Sequence, residues 1–184
     1  MSYLPIDLMT SELRAHRRLK VENRDPSYTQ GTQFRISYSL TVTSGSPIVL
    51  RVTSPINFEL VSQTLATHQS GIVFEAYRDI QGVESGTFGV SVPIYKNNFQ
   101  STANNYTNQV AIETGGVFTP DIGQAAVETI NVLSANASAQ RSTVELGAQG
   151  NRGLSAGTYY LVFSKLSGAG TALGVYSLIF DENV

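Results

Sequence analysis

The sequence predicts an all-β fold, a two-sheet sandwich of the jelly-roll kind. Three observations carry this. Residues 33–43, QFRISYSLTVT, place Phe34, Ile36, Tyr38, Leu40 and Val42 on one face and Arg35, Ser37, Ser39, Thr41 and Thr43 on the other. That alternation marks a strand with one face on a core and one in water. Turn signals rich in Gly, Ser, Asn and Pro then recur about every 8–12 residues, the spacing of sandwich strands. No long helix is evident after residue 25. An immunoglobulin-like sandwich is the runner-up, without the Cys/Trp core of its true members, since the chain has no cysteine and no tryptophan.

The elements follow in order. Residues 1–25 form an N-terminal arm and 26–184 the sandwich domain. In the arm, Ser11 suits a helix N-cap with Glu12 in the first turn. Leu13 and Leu19 do not share a helical face, so a short helix and an extended arm both fit. After the first strand, Gly45-Ser46-Pro47 turns the chain. IVLRVT (48–53) and INFELVS (56–62) are short strands around Ser54-Pro55, and His68-Gln69-Ser70-Gly71 is a turn. IVFEAYR (72–78) is a more buried strand. A glycine-rich loop leads to a short strand near 90–95, and KNNFQSTANNYTN (96–108) is a polar loop. Strands follow near 109–114, 127–133 and 143–146. GTYYLVFSKL (157–166) and GVYSLIFDE (174–182) are the strongest, apolar on both faces in places, and suit a central hairpin joined by SGAGTAL.

Composition narrows the function. Charged residues make up only 14% of the 184, and the net charge is −2. This is not the footprint of a whole-domain nucleic-acid binder. The absence of cysteine removes disulfides, thiol nucleophiles and thiolate metal sites. The start of the chain shows no apolar signal core, and no run approaches the ~18–20 apolar residues of a spanning helix, so neither export nor a membrane is expected. Charge is uneven: residues 1–24 carry a net of +2, and residues 25–184 a net of −4.

Candidate chemistry is sparse. His68 lies near Ser70 and Asp79 in sequence, but no G-x-S-x-G elbow accompanies it, so a polar turn explains it better than a triad. His16, among arginines, reads as one more solvated polar group. Glu59, Glu75, Glu113 and Glu128 fall in predicted strands, where an outward solvated face accounts for them; a glycosidase needs two at a set separation. Asp121, Glu128, Asp181 and Glu182 are scattered and match no calcium loop. Gly150-Asn151-Arg152-Gly153 reads as a loop, not a phosphate cradle. Asn105 and Asn136 match the glycosylation pattern but signify only polar loops without export. No catalytic, metal or cofactor site is assigned. The one charge cluster is the arm, where Leu13, Arg14, Arg17, Arg18, Leu19 and Lys20 combine cations with apolar anchors. It reads as a docking segment.

A family resemblance adds to this. Thr53-Ser54-Pro55 leads into INFELV, GTFG stands at 86–89, KNNFQSTANN begins at residue 96, LSAGTYYLVFS spans 154–164, and GVYSLIFDE closes the chain with Phe180 before Asp181-Glu182. In this order the chain resembles the small β-sandwich accessory proteins of tailed-bacteriophage virions, the capsid decoration, cement or head-fibre proteins. The resemblance implies a non-enzymatic virion protein, assembled in the host bacterial cytoplasm, that stabilises the capsid across neighbouring subunits. It implies the major capsid protein as partner and a homo-oligomer, a trimer or else a dimer. No cofactor, membrane or nucleic acid is implied. The alternative is a receptor- or carbohydrate-binding fibre, collar or tail module, with Tyr28, Tyr95, Tyr106, Tyr159 and Tyr160 as stacking platforms.

Overall fold

Alternation sets the first strand, and everything else is threaded around it. A computed structural model describes residues 31–68, 70–97, 106–133, 141–146, 152–168 and 170–182. The arm residues Leu13 to Lys20 lie outside the described residues, as do His16, Tyr28, Gln69, Asn105 and Asn136. The strands are β1 (Gln33–Thr43), β2 (Ile48–Ser54), β3 (Phe58–His68), β4 (Ile72–Arg78), β5 (Gly82–Ser85), β6 (Val90–Ser91), β7 (Tyr95–Lys96), β8 (Ala111–Thr114), β9 (Val117–Pro120), β10 (Glu128–Val132), β11 (Arg141–Leu146), β12 (Arg152–Leu154), β13 (Gly157–Lys165) and β14 (Thr171–Asp181). A 3-10 turn, Asp79–Gln81, follows β4.

Eight strands make the frame, and they pair as a nested set. β1 pairs with β14, β2 with β13, β3 with β11 and β4 with β10, each antiparallel. One sheet runs β11-β3-β14-β1-β7, with β12 also on β3; the other runs β10-β4-β13-β2-β8-β6. A long hairpin folded back so that its successive pairs fall in alternate sheets is the jelly roll. The fold is therefore the all-β sandwich that the alternation predicts, and its pairing order is that of a jelly roll.

Two sequence readings need correction. β13 and β14 do not form a hairpin. They are central strands of opposite sheets, and the segment between them crosses from one sheet to the other. Nor does β3 stop at residue 62. It runs on to His68, so His68 is a strand residue rather than part of a turn. The polar run QTLATH disguises this, because Gln63 and Thr67 take core-side positions beside Leu65 and are all buried.

The main core lies between the sheets. Phe34, Ile36, Leu40 and Val42 of β1 meet Phe58, Leu65, Phe74, Leu161, Phe163, Tyr176, Leu178 and Phe180. A bulge between Ile179 and Phe180 shifts the β14–β3 register, pairing Ile179 with Ser62 and Phe180 with Leu60. The extra residue lets Leu60 and Gln63 both face inward despite their odd spacing.

A second core explains why β13 is apolar on both faces. Tyr159, Leu161 and Phe163 point into the sandwich, while Tyr160 and Val162 point out. The outer face is covered by the chain between β4 and β10. There β5 and β9 form a separate ribbon that lays Phe118 on Tyr160, ring centroids 4.1 Å apart and stacked. Val49, Tyr77, Phe88 and Val162 complete this cluster. Gly116 lets Phe88 approach: a Cβ there would stand 2.3 Å from the Phe88 ring.

Candidate functional site

Three polar constructions stand out on this frame. The first sits on the outer face of the second sheet. Arg51 on β2 is held between Glu84 of β5 (3.1 Å) and Glu113 of β8 (2.6 Å), and its guanidinium lies 4.7 Å from the Phe88 ring centroid. The Tyr160 hydroxyl donates to Glu84 at 2.7 Å. That hydrogen bond, and then Arg51, hold the Glu84 carboxyl below its usual range. The hydrogen bond to Glu113 raises Arg51, and burial raises the Tyr160 phenol. These groups floor an open depression of about 520 Å³ that Thr53, Asp79, Ala111 and Thr158 also line. The gap between the two carboxylates is filled by the guanidinium. The arrangement pins the β5–β9 ribbon to the sheet.

The second construction is at the C-terminal end. The buried Glu182 carboxylate accepts from the backbone N–H groups of Gln109 and Val110, each at 2.9 Å. Asp181 accepts from Thr32 Oγ1 at 3.0 Å. The two acids after Phe180 thus fasten the 106–110 segment and the entry to β1.

The third is inside the sandwich. A mostly apolar cavity of about 70 Å³ lies between β3/β14 and β4/β13 and opens between β10 and β12. Gln63 and Tyr176 line it, joined by a 2.9 Å hydrogen bond from the phenol to Gln63 Oε1. Arg152 and Glu128, paired at 2.7 and 3.0 Å, stand at the opening.

The residues singled out in the sequence separate on this frame. His68 ends β3, and among the described residues its Nδ1 has no hydrogen-bond partner. Asp79 lies beyond the far end of β4, a strand of seven residues or about 23 Å when extended. No triad forms. Glu59 follows inward Phe58 and so faces outward on the first sheet. Glu75 and Glu113 share the outer face of the second sheet, but three strand spacings, about 14 Å, divide β4 from β8. Glu128 is a correction. It pairs with Ala76 in the core-facing register, at the sandwich mouth rather than on a solvated face. Arg152, expected in a loop, lies in β12 and binds it. Of the five tyrosines offered as platforms, Tyr95 is half exposed; Tyr160 is buried, and Tyr106 and Tyr159 pack on the core.

Sequence reasoning passed over Arg51, Glu84 and Gln63. Gln63 carried a usable signal: it stands in phase with Leu65, a polar residue in an apolar series. Arg51 and Glu84 carried none, since 33 residues separate them. Comparison with protein families, curated proteins and solved structures finds no match.

Proposed function

We propose that this is a non-enzymatic structural protein of a tailed-bacteriophage virion, which decorates the capsid and stabilises it by binding across neighbouring capsid subunits. The observation that carries the reading is a division of labour. The jelly-roll body engages charges internally: Arg51 with Glu84 and Glu113, Arg152 with Glu128, and Glu182 with backbone amides. The cationic cluster, Arg14, Arg17, Arg18 and Lys20, belongs instead to the arm, interleaved with Leu13 and Leu19. A rigid body with a charged, apolar-anchored arm suits docking and holding. A protein that binds only the assembled lattice stabilises it by mass action. Linked copies strengthen this through effective concentration.

The oligomer needs a different argument from the one the sequence offers. The second apolar face of β13 is covered by the chain's own ribbon, so it requires no partner. Among the described residues, none covers the outer face of the first sheet. Leu173 and Val175 are 37% and 41% exposed there, beside exposed Ser37, Ser39 and Thr41. Four strands, the longest of 11 residues, give it an area on the order of 700 Å², close to the ~800 Å² per partner of a standard interface. It is the face we assign to self-association in a trimer.

The test is rebinding: purified protein is mixed with expanded capsids that lack it. Saturable binding at a fixed stoichiometry per capsid subunit supports the reading; no binding to capsids, together with turnover of a polysaccharide, overturns it.

A further inference from the structure

We propose that residues 18–22 of the arm add to the first sheet as a further edge strand, antiparallel to β1, and sheathe the arm against its own body until the capsid takes it. The observation is an uncovered length of strand. The Gln33 carbonyl accepts from Asn97 on the β7 side at 2.9 Å, and the Thr32 carbonyl accepts from Glu182 on the β14 side at 3.2 Å. Backbone groups alternate along an antiparallel strand, so the odd-numbered residues of β1 aim theirs away from β14. β7 meets this edge at Phe34 and Arg35. Its ladder stops there because the position facing Ser37 falls to Pro93, which has no N–H. Val92 bonds instead to Ile112 of the other sheet, at 2.8 Å. At the far end Thr43 is closed by its own turn, its carbonyl accepting from Ser46. Among the described residues nothing pairs with the N–H and C=O of Ser37, Ser39 and Thr41. The stretch from Ile36 to Val42 also lacks charge, proline and bulge, the usual guards of a free edge.

The arm has a segment that fits. Residues 18–22, RLKVE, alternate: Leu19 and Val21 take one face, and Arg18, Lys20 and Glu22 the other. Set antiparallel with Lys20 opposite Ser39, Leu19 falls beside buried Leu40 and Val21 beside half-buried Tyr38. The charged side chains then join exposed Ser37, Ser39 and Thr41 and guard the new edge. The other alternating stretch, Leu4, Ile6 and Leu8, does not serve. Turning those residues inward puts Pro5 where an N–H must be given to β1. Length agrees. Residues 23–31 number nine and reach about 30 Å, and five residues of β1, about 17 Å, separate Ser37 from Thr32. Leu19 is thus covered in the free protein and released to the capsid on docking. That exchange rests on the docking role proposed above; the strand itself does not.

The test is amide hydrogen exchange on the free full chain, followed by ¹⁵N NMR without capsids. The Ser37, Ser39 and Thr41 amides should exchange at least about tenfold more slowly than in a 25–184 truncation. Those of Ile36, Tyr38 and Leu40, which face β14, should not change. Lys20→Pro in the full chain leaves the body complete and should open the same three amides. A second readout fixes whose arm it is. The chain has no cysteine, so Lys20→Cys combined with Ser39→Cys forms a disulfide only between these positions. It should close within one chain, at least about tenfold faster than Lys20→Cys combined with Thr43→Cys. Equal exchange at Ser37, Ser39 and Thr41 in the full chain, the truncation and Lys20→Pro overturns the strand, and so do equal disulfide rates. A disulfide that joins two chains overturns the assignment to the chain's own arm. Failure to rebind capsids while the three amides stay protected counts against the docking role and leaves the strand standing.

Discussion

Among single side chains, Glu182 fastens the 106–110 segment. Its carboxylate accepts from two consecutive backbone amides while 5% exposed, so removing it strands the buried Val110 donor and the part-buried Gln109 donor. Glu182→Ala should lower stability by about 2–4 kcal/mol, read as a fall in urea midpoint at constant slope, with faster exchange of the Val110 amide. An unchanged midpoint would mean the 106–110 segment is held by other contacts. Glu84 gives a pH signature. Its folded pKa is depressed, so its contribution to stability is present above its unfolded value and is lost as pH falls through the folded one. Stability should therefore drop on acidification below about pH 4.5, and Glu84→Gln should flatten that part of the profile. The Glu84 side chain is 46% exposed, so solvent keeps the effect small. Little of this was legible in the sequence. The Asp181-Glu182 pair looked like a terminal flourish of the resemblance, because nothing local reveals that an acid reaches a loop 72 residues away.

At the level of elements, the sequence spoke clearly wherever a single strand carried its own pattern. Residues 33–43, read from alternation, and 72–78, read as a more buried strand, are strands with the bounds the sequence predicts. It failed where the partner lay elsewhere. β5 and β9 went unseen because VES and VFTP are too short for a period to register, and their pairing spans more than 30 residues. The doubly apolar β13 was the visible half of a packed pair of layers; the covering ribbon was the hidden half. Phe118→Ala tests it. Phe118 is 4% exposed and stacked on Tyr160, so truncation should cost about 3–5 kcal/mol and expose the outer face of the second sheet to a hydrophobic dye. A loss below about 1 kcal/mol would mean the ribbon is ornament rather than cover. Gly116→Ala should act in the same direction through Phe88, at about 1–3 kcal/mol.

For the whole molecule, the jelly roll follows from nesting: first strand with last, second with last but one, and so inward. Alternation and turn spacing point to a sandwich, but this order is a property of pairings, which no single segment displays. The resemblance implies a trimer, and the proposal places its contact on the outer face of the first sheet. Light scattering at high micromolar concentration should give three times the chain mass, and Val175→Lys, at the 41%-exposed centre of that face, should shift it to monomer. A wild-type monomer under those conditions would contradict self-association. The central claim is that the arm carries the lattice binding and the jelly roll positions it. Charge alone contributes only ~0–1 kcal/mol per exposed pair, so the proposal has Leu13 and Leu19 anchor what Arg14, Arg17 and Arg18 steer. The most direct measurement compares full chain and a 25–184 truncation for binding to expanded capsids lacking the protein, at two salt concentrations. The account predicts that the truncated body stays folded and binds far more weakly, while a triple Arg→Ala chain loses affinity mainly at low salt. Truncated protein that decorates capsids as tightly as the full chain would contradict it.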